Sequence, residues 1–499
     1  METPTKKVLF FSNQGLSSLH LGIELEIMDR LLSQNVKIYY STCDKVTKSC
    51  FFNPTGNPVG CGICQGRNIE LHKLIHSENL IHIAFPVVNI DSSINQYDIK
   101  KNPIISDWDF DGINIGKGIL SSVISLRRDY EVHDEKVFPL IKEELEVSLR
   151  SLLGFKQLLS LLQPEEIYIF NGRFSETYPL LSLCQSLKIP FYTMELGATN
   201  QKFELFHNSL PHSITSRQKS MWKLWENATK QKYVLAENWF QEKIRGVNKD
   251  DKVYTKNQNK NLLPVNFDTT KTNISIFNSS EDEMKTIDEW QNELFNTQNE
   301  AIQKIVQKYI DDEKYHFYLR VHPNLENVNN SQVKEILAFS YRNLTIIPAN
   351  DPIDTYCLML KSDLIISFGS TIGIEASFHG KTSICLGKSF YTGMDAVYEP
   401  KSFEELYALI ESSTVLQPKP RMNTLPYAYY IINRGENYMN FNYKDKFNSS
   451  FKGIKIKRFY LISIIKSILY FKDYKIYRDK FKILYNRMPK IMDLNKLKI

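Results

Sequence analysis

The N-terminal half of the chain alternates between short apolar runs and amphipathic stretches. KVLFF and VKIYYST are apolar runs of strand length, and the apolar residues between them recur at helical spacing (Leu19, Ile23, Ile27 and Leu31). EEIYIF and IPFYTMEL repeat the strand pattern further along, again with a helical pattern between them. Strands that alternate with helices in this way predict a parallel α/β sheet.

The alternation starts again after residues 247–272, which are polar and aperiodic. The apolar runs NISIF, HFYL, LTII, LIIS and SICL are each followed by a polar loop, and a long helix is predicted from about 282 to 311. We therefore predict an N-terminal Rossmann-like domain over 1–260 and a C-terminal one over 270–415, both doubly wound and facing a cleft. Residues 416–499 are predicted to contain a basic, aromatic, helical tail.

The tail differs from the rest of the chain in charge. The net charge is +6, and residues 452–499 contain 14 Lys or Arg against 3 Asp, a net of +11 that leaves −5 for the remainder. A slightly acidic body does not favour nucleic-acid binding. Because the basic residues of the tail alternate with aromatic and aliphatic ones, the tail is predicted to lie on an anionic membrane surface. The alternative is a helix packed on the body with a solvated basic face.

The location predicted from the sequence is the cytoplasm, at the inner face of the cytoplasmic membrane. No apolar run reaches the length of about 18 residues that a spanning helix needs. The apolar run near the N-terminus is too short for a signal peptide and fits a first β-strand. We therefore expect a protein that binds the membrane peripherally.

Four of the seven cysteines fall in one predicted loop, residues 43–64, with the spacing C-x6-C-x10-C-x2-C. The glycines Gly56, Gly60, Gly62 and Gly66 lie in or next to this loop. Disulfides are disfavoured in the cytosol, and four thiolates close in sequence are typical of a structural Zn²⁺ site. A redox pair or free thiols are the alternatives. The predicted zinc ligands are Cys43, Cys50, Cys61 and Cys64.

The loop SFGSTIGIEASFHGK follows the strand LIIS and is predicted to hold a phosphate. Ligands bind at the carboxyl ends of parallel strands, and Ser370, Thr371 and Gly373 occupy the turn into a helix there. Glu375, one turn later, is placed to accept hydrogen bonds from ribose or sugar hydroxyls. The alternative is a plain helix cap in which Glu375 is the capping-box partner.

Two further loops leave strands at the same predicted edge. RVHPN brings Arg320 and His322, whose charge and hydrogen bonds suit a diphosphate. FNSSEDE brings Ser279 and Ser280 at a helix start, with acids that suit the helix dipole. The alternatives are a structural histidine in the first loop and a simple N-cap in the second. We predict that both loops contact the nucleotide phosphate or the sugar.

The first domain offers several candidates for the chemical step. NGRFSE and MELG leave predicted strands, so Arg173 could bind an anionic group and Glu195 could act as a general base. His20 and Glu24, four residues apart on the first helix, are rival bases. A structural polar role remains open for each of the four.

These motifs together resemble bacterial surface-polysaccharide glycosyltransferases of the GT-B type, in the group of capsule and lipopolysaccharide biosynthesis proteins that includes Kdo transferases. The resembling stretches are the cysteine-rich segment, FNGR, MELG, FNSSEDE, RVHPN, SFGSTIGIEASFHGK and YEPKSFEELYALI, and they span most of residues 7–412. The resemblance implies a GT-B-like fold, in which residues 416–499 would begin with crossover helices that return to the first domain. It also implies a CMP-, UDP- or GDP-linked sugar in the C-terminal domain and a glycan or lipid-linked glycan acceptor in the N-terminal one.

The function predicted from this resemblance is transfer of a sugar, of hexosyl or Kdo type, to a capsule, O-antigen or lipopolysaccharide acceptor. We expect an inverting, metal-independent reaction without a catalytic cofactor, because no D-x-D pair stands at a strand end and Arg320 and His322 can offset the charge of the leaving group. The alternatives are a nucleotide-sugar epimerase of the same fold and a non-catalytic membrane-associated scaffold.

Overall fold

The computed structural model describes residues 6–247, 254–445, 448–457 and 460–470. The chain divides into two compact units. Of the described residues, the first unit contains those in the ranges 6–127, 131–216 and 433–470, and the second contains those in the ranges 128–130 and 217–432. Residues 217–260, predicted as part of the first domain, therefore group with the second unit. Residues 471–499 of the predicted tail lie outside the described residues.

The first unit is built on a seven-stranded sheet of order β14-β8-β7-β6-β1-β2-β3. Strands β8 and β14 run antiparallel to their neighbours, and the other pairs are parallel. Its elements before residue 214 are β1 (Lys6–Ser12), α1 (Ser18–Ser33), β2 (Val36–Thr42), α2 (Pro58–His72), β3 (Leu80–Ala84), α3 (Asp91–Ile94), β4 (Asp109–Phe110), β5 (Ile113–Asn114), α4 (Gly116–Arg127), α5 (Phe138–Leu162), β6 (Glu166–Phe170), α6 (Tyr178–Leu187), β7 (Phe191–Leu196) and β8 (Lys202–His207).

Burial on both faces explains why the central strands of this sheet read as continuous apolar runs. In β1, Val8, Leu9, Phe10 and Phe11 are all fully buried. Leu9 and Phe11 pack in one cluster with α4 and α5, whereas Val8 and Phe10 pack in another with α1. Helices on both faces therefore cover the parallel strands, as in a doubly wound sheet.

The second unit is built on a five-stranded, all-parallel sheet of order β11-β10-β9-β12-β13. The order reverses between β10-β9 and β12, which is where ligands bind in open sheets of this kind. Its elements are α7 (Ile214–Glu226), α8 (Gln231–Arg245), β9 (Thr272–Phe277), α9 (Gln298–Lys308), β10 (Tyr315–Arg320), α10 (Ser331–Ala338), β11 (Leu344–Ile347), α11 (Thr355–Lys361), β12 (Leu364–Ser367), α12 (Ile372–Phe378), β13 (Ser383–Cys385), α13 (Phe403–Glu411) and α14 (Leu425–Asn433).

After α14 the chain returns to the first unit. There β14 (Glu436–Asn437) pairs with β8, and β15 (Phe441–Asp445), β16 (Asn448–Phe451) and β17 (Ile454–Lys455) form a small antiparallel sheet. The last described element, α15 (Leu461–Tyr470), packs against α2. None of the helices in the described ranges is long and apolar enough to cross a membrane.

The α/β fold class is confirmed, with two Rossmann-like units whose sheets are mainly parallel in the first and all-parallel in the second. Two local predictions are wrong. The long helix predicted from about 282 to 311 is shorter, because residues 281–283 and 288–290 form short 3₁₀ turns and α9 begins only at Gln298. The second half of the cysteine-rich segment is not a loop, because Cys61 and Cys64 lie on α2.

Candidate active site

The carboxyl ends of β9, β10, β12 and β13 border a cavity of about 460 Å³ within the second unit. Its wall brings together the three loops that the sequence indicated, and aromatic residues close the other side. Of the residues that were predicted to bind the nucleotide sugar, five lie in the wall: Ser279, Ser280, His322, Ser370 and Thr371. The wall also contains residues that were not predicted from the sequence to belong to the site, among them Tyr254, Trp290, Lys388, Phe390 and Tyr427.

A second hollow of about 120 Å³ adjoins this cavity in the same unit. The two share Tyr254, His322, Ser370 and Thr371, and the second adds Arg320, Tyr356 and Glu375. All the residues predicted to bind the nucleotide sugar, except Gly373, thus line one continuous region at the switch point of the sheet. Polar groups from several strand ends that converge on a concavity are typical of a ligand site.

The hydrogen bonds of His322 fix its protonation pattern. Its Nδ1 accepts a hydrogen bond from the backbone N–H of Asn324 at 3.1 Å, and Pro323 begins a short 3₁₀ helix there. A ring nitrogen that accepts carries no proton, so the proton of the neutral imidazole is on Nε2. His322 therefore borders the cavity as a hydrogen-bond donor, which suits a phosphate oxygen.

Ser370 and Thr371 are not used as a helix cap. Thr371, at the N-terminal boundary of α12, makes no capping hydrogen bond through its side chain. Neither hydroxyl has a hydrogen-bond partner among the residues that the structure describes, although the Ser370 carbonyl accepts from the Tyr391 hydroxyl at 2.6 Å. The plain-cap alternative is therefore wrong for these two residues, and both hydroxyls remain available at the wall of the cavity.

Gly369 gives this loop its shape. Its φ is +83°, and a Cβ atom there would lie 2.2 Å from the carbonyl oxygen of Lys388. Only glycine combines this left-handed backbone with so close an approach. The loop after β12 is therefore pressed against the loop after β13, which places Lys388 beside Ser370.

Glu375 is buried in α12 and points to Tyr356, whose hydroxyl donates to its Oε2 at 2.8 Å. The capping-box alternative is wrong, because that carboxylate is engaged by Tyr356 of α11. Gly373 lines neither cavity. Its N–H donates to the Ser370 carbonyl, and a Cβ there would lie 2.3 Å from Ser367 Oγ, so the prediction that Gly373 contacts the donor is not supported by its position.

Arg320 lines the second hollow, but its guanidinium holds a loop. It donates to the carbonyls of Pro348 at 3.1 Å and Asp351 at 3.0 Å, and burial lowers its pKa from the usual value. Its Nε is buried without a hydrogen-bond partner in the described part of the chain. Arg320 therefore contributes positive charge near the cavity while it shapes the end of β11.

Ser279 and Ser280 are engaged by their neighbours rather than free. The Ser279 hydroxyl donates to the Phe368 carbonyl at 2.9 Å and accepts from Gln298, and the Ser280 hydroxyl bonds to Asp282. Neither forms the simple N-cap that was the alternative, since Ser280 makes no capping bond. They shape the wall of the cavity more than they offer donors to a ligand.

The candidates for the chemical step lie in the first unit. His20 Nε2 is 3.7 Å from Glu195 Oε1 at the carboxyl end of β7, and Ser17 Oγ is 2.7 Å from His20 Nδ1. Burial raises the pKa of Glu195, but the facing imidazole of His20 outweighs this and holds it at about 2. Glu195 is thus a carboxylate at neutral pH, paired with a half-buried histidine.

The other two candidates differ in exposure. Glu24 is fully buried and bonds to Ser12, Gln14 and, at 2.9 Å, His72 Nε2. It therefore joins β1 to α2 and is sealed from solvent, a position that does not support the prediction of Glu24 as a base. Arg173 is half-buried and stacks on its neighbour Phe174, with its guanidinium carbon 4.6 Å from the ring centre.

The four clustered cysteines do converge in the first unit. Burial raises the pKa of the Cys64 thiol to about 12, and Cys43 and Cys61 lie near enough to interact with it electrostatically. Asn53 Nδ2 lies 3.1 Å from Cys61 Sγ. Within the described residues, however, no three acidic, histidine or cysteine side chains are arranged as metal ligands. The zinc site stays a prediction.

Several solved structures resemble this chain at low sequence identity. The chain is similar to the KpsC β-Kdo 2,4-transferase of Thermosulfurimonas dismutans (13% identity over 53% of this chain and 79% of that one, TM-score 0.33). It is also similar to a UDP-GlcNAc 2-epimerase of Methanocaldococcus jannaschii (11% identity over 85% and 97%, TM-score 0.26) and to the glycosyltransferase SnogD of Streptomyces nogalater (10% over 85% and 95%, TM-score 0.23). No curated protein matches the sequence.

The family match falls on the second unit. Residues 282–400 match a family described as capsule polysaccharide biosynthesis protein. This segment begins two residues after Ser280 and contains His322, Thr371 and Glu375. The resemblance to capsule polysaccharide biosynthesis proteins is therefore confirmed over the part of the chain that builds the cavity.

Proposed function

We propose that the protein is a glycosyltransferase that moves a sugar from a nucleotide-sugar donor to a surface-polysaccharide acceptor. The observation that carries this proposal is the cavity of the second unit, where His322 and the hydroxyls of Ser370 and Thr371 converge at a sheet switch point. These groups suit a phosphate-bearing ligand. The match of the same segment to the capsule polysaccharide family supports a sugar as the group transferred.

In this proposal the donor is a CMP-, UDP- or GDP-linked sugar. The Nε2–H of His322 and the two hydroxyls bind phosphate oxygens, and Lys388 offsets their charge. Trp290 and Phe390, whose rings meet edge to face at 5.2 Å, offer an aromatic wall for the base or the sugar. No divalent metal is assigned to the reaction, so we expect activity to persist in EDTA.

The acceptor is assigned to the first unit, with His20 and Glu195 as the proton-accepting pair. The acceptor oxygen attacks the anomeric carbon, the bond from that carbon to the phosphate oxygen breaks, and the nucleotide leaves with the bonding electrons. The hydroxyl proton passes to His20, and the carboxylate of Glu195 stabilises the imidazolium. Attack opposite the leaving group inverts the anomeric centre. Replacing His20 by Gln is expected to lower kcat about 10²- to 10⁴-fold.

The place of action proposed is the inner face of the cytoplasmic membrane, where a lipid-linked glycan acceptor would be found. The net charge of +11 over residues 452–499 supports an anionic membrane as partner.

A donor screen tests the proposed function. Wild-type protein is mixed with CMP-, UDP- and GDP-linked sugars, and the thermal midpoint is recorded for each. One class is expected to raise Tm, and the double variant S370A/T371V to lose most of that rise. The control is T414V, which alters an exposed threonine of the same unit away from the cavity. The proposal fails if no nucleotide sugar stabilises the protein, or if S370A/T371V responds as wild type does.

A further inference from the structure

Helix α15 packs on the first unit with its small residues and leaves its large apolar residues outside. A Cβ atom on Gly62 of α2 would lie 2.2 Å from Ser467 Oγ, and one on Gly66 would lie 2.1 Å from Ser463 Oγ. Glycines and serines, each pair four residues apart, thus let the two helices approach very closely. The Ser467 hydroxyl also donates to the Val59 carbonyl at 3.3 Å.

The opposite face of α15 is an exposed apolar stripe. Leu461 is 75% exposed and Ile468 is 66% exposed, and the other exposed members fall at the same helical spacing. We define the α15 stripe as Leu461, Ile464, Ile465, Ile468 and Leu469. Contiguous apolar surface of this kind marks an interaction site, because its exposure to water is unfavourable.

The charges around the α15 stripe select the partner. The only charged residue of α15 is Lys466, and Lys455 and Lys457, which precede the helix, are exposed. The sequence from 452 onward has a net charge of +11. A second copy of the chain would bring two such basic segments together, which is electrostatically unfavourable. An anionic bilayer satisfies both features, because aliphatic side chains enter the acyl boundary while lysines contact headgroups.

We propose that the α15 stripe is a membrane-docking surface, which inserts Leu461, Ile464 and Ile468 into the interface of a bilayer containing anionic phospholipid. The close α2–α15 contact at Gly62 and Gly66 fixes this surface to the first unit, so docking orients the unit rather than tethering it loosely. This inference deepens the proposed membrane location. It is independent of sugar transfer, because it can be measured without any nucleotide sugar.

The test is co-sedimentation of the full chain with vesicles of phosphatidylcholine and phosphatidylglycerol, compared with pure phosphatidylcholine. We expect the wild type to bind the anionic vesicles, and the variant I464N/I468N to bind at least about tenfold more weakly. The matched control is L161N, which places the same polar group at an exposed leucine of α5 (73% exposed) in the same unit. L161N is expected to bind as the wild type does.

Three results would overturn the proposal. Vesicle binding by I464N/I468N equal to that of wild type would show that the stripe does not insert. A wild-type dimer that I464N/I468N converts to a monomer, without vesicle binding by either, would identify a second copy as the occupant. A large fall in Tm for I464N/I468N but not for L161N, again without vesicle binding, would mean that the chain's own residues 471–499 cover the stripe.

Discussion

Replacing His322 by Asn separates its structural role from its proposed role in donor binding. Its Nδ1 accepts from the N–H of Asn324 at 3.1 Å, and its Nε2 is the atom that we assign to the phosphate. An Asn side chain is itself a good cap for such an N–H, but it ends where the imidazole continues to Nε2. H322N therefore keeps the local structure and removes the contact with the phosphate.

The size of the expected effect follows from the bond that is lost. A hydrogen bond to a charged phosphate contributes about 1.5–3 kcal/mol, which corresponds to roughly a 10- to 150-fold weaker affinity for the donor. The Asn324 N–H stays satisfied, so the free energy of unfolding is expected to change by less than about 0.5 kcal/mol. H322A, which loses the cap as well, is expected to lose about 1 kcal/mol of stability in addition.

Isothermal titration with the nucleotide sugar selected by the donor screen measures the affinity, and urea unfolding measures the stability. Equal donor affinity for H322N and wild type would refute the assignment of Nε2 to the phosphate. A loss of affinity in H322N that is matched by a comparable loss of stability would show that His322 only supports the loop.

Three further predictions concern stability and metal binding. Burial raises the pKa of Glu144 in α5 to about 8. Between about pH 4.5 and pH 8 this carboxyl is therefore protonated in the folded protein and ionised in the unfolded chain. The free energy of unfolding falls as the pH rises through this range. E144Q is expected to flatten this fall in Tm between pH 5.5 and 8.0, and an unchanged slope would contradict the assignment. G369A is expected to lower the free energy of unfolding, measured in urea, by at least about 1–2 kcal/mol. The reason is that the added Cβ would clash with the Lys388 carbonyl and that the backbone φ there is +83°. An unchanged free energy of unfolding would contradict the close approach of the two loops. Elemental analysis of purified protein is expected to find one zinc per chain, and its absence from folded protein would refute the predicted ligands Cys43, Cys50, Cys61 and Cys64.

The strands and the loops that follow them could be predicted because both depend on local pattern. Short apolar runs bounded by polar residues correspond to β9, β10 and β12, and the carboxyl ends of parallel strands meet at one edge whatever the rest of the chain does. That rule alone was enough to bring His322 and Thr371 to the same cavity. Lys388 follows β13 in the same way, so the same rule could have found it.

Features that depend on distant residues could not be predicted. The helix expected from about 282 is interrupted where Asp282, which is buried, pairs with Arg128 from far earlier in the chain. Gly62 and Gly66 suggested a loop, because glycine is a poor helix former. In the structure both lie on α2, where only a residue without a side chain leaves room for Ser463 and Ser467 of α15.

Glu24 shows the same limit for the site itself. Its spacing from His20 suggested a general base, but His72, 48 residues later, pairs with it in the interior. The burial of a carboxylate depends on which element packs over it, and the sequence around Glu24 contains no sign of α2. Tyr356, which holds Glu375, was missed for the same reason.

Transfer of a sugar from a nucleotide donor can be observed by following the phosphorus signals of the donor with ³¹P NMR. Purified protein is incubated with the stabilising nucleotide sugar, with and without a capsule or lipopolysaccharide glycan extract. We expect free nucleotide to accumulate when the acceptor is present, and we expect S370A/T371V to slow its release while T414V does not. Conversion of the nucleotide sugar to its epimer without acceptor, or no turnover in any mixture, would contradict this expectation.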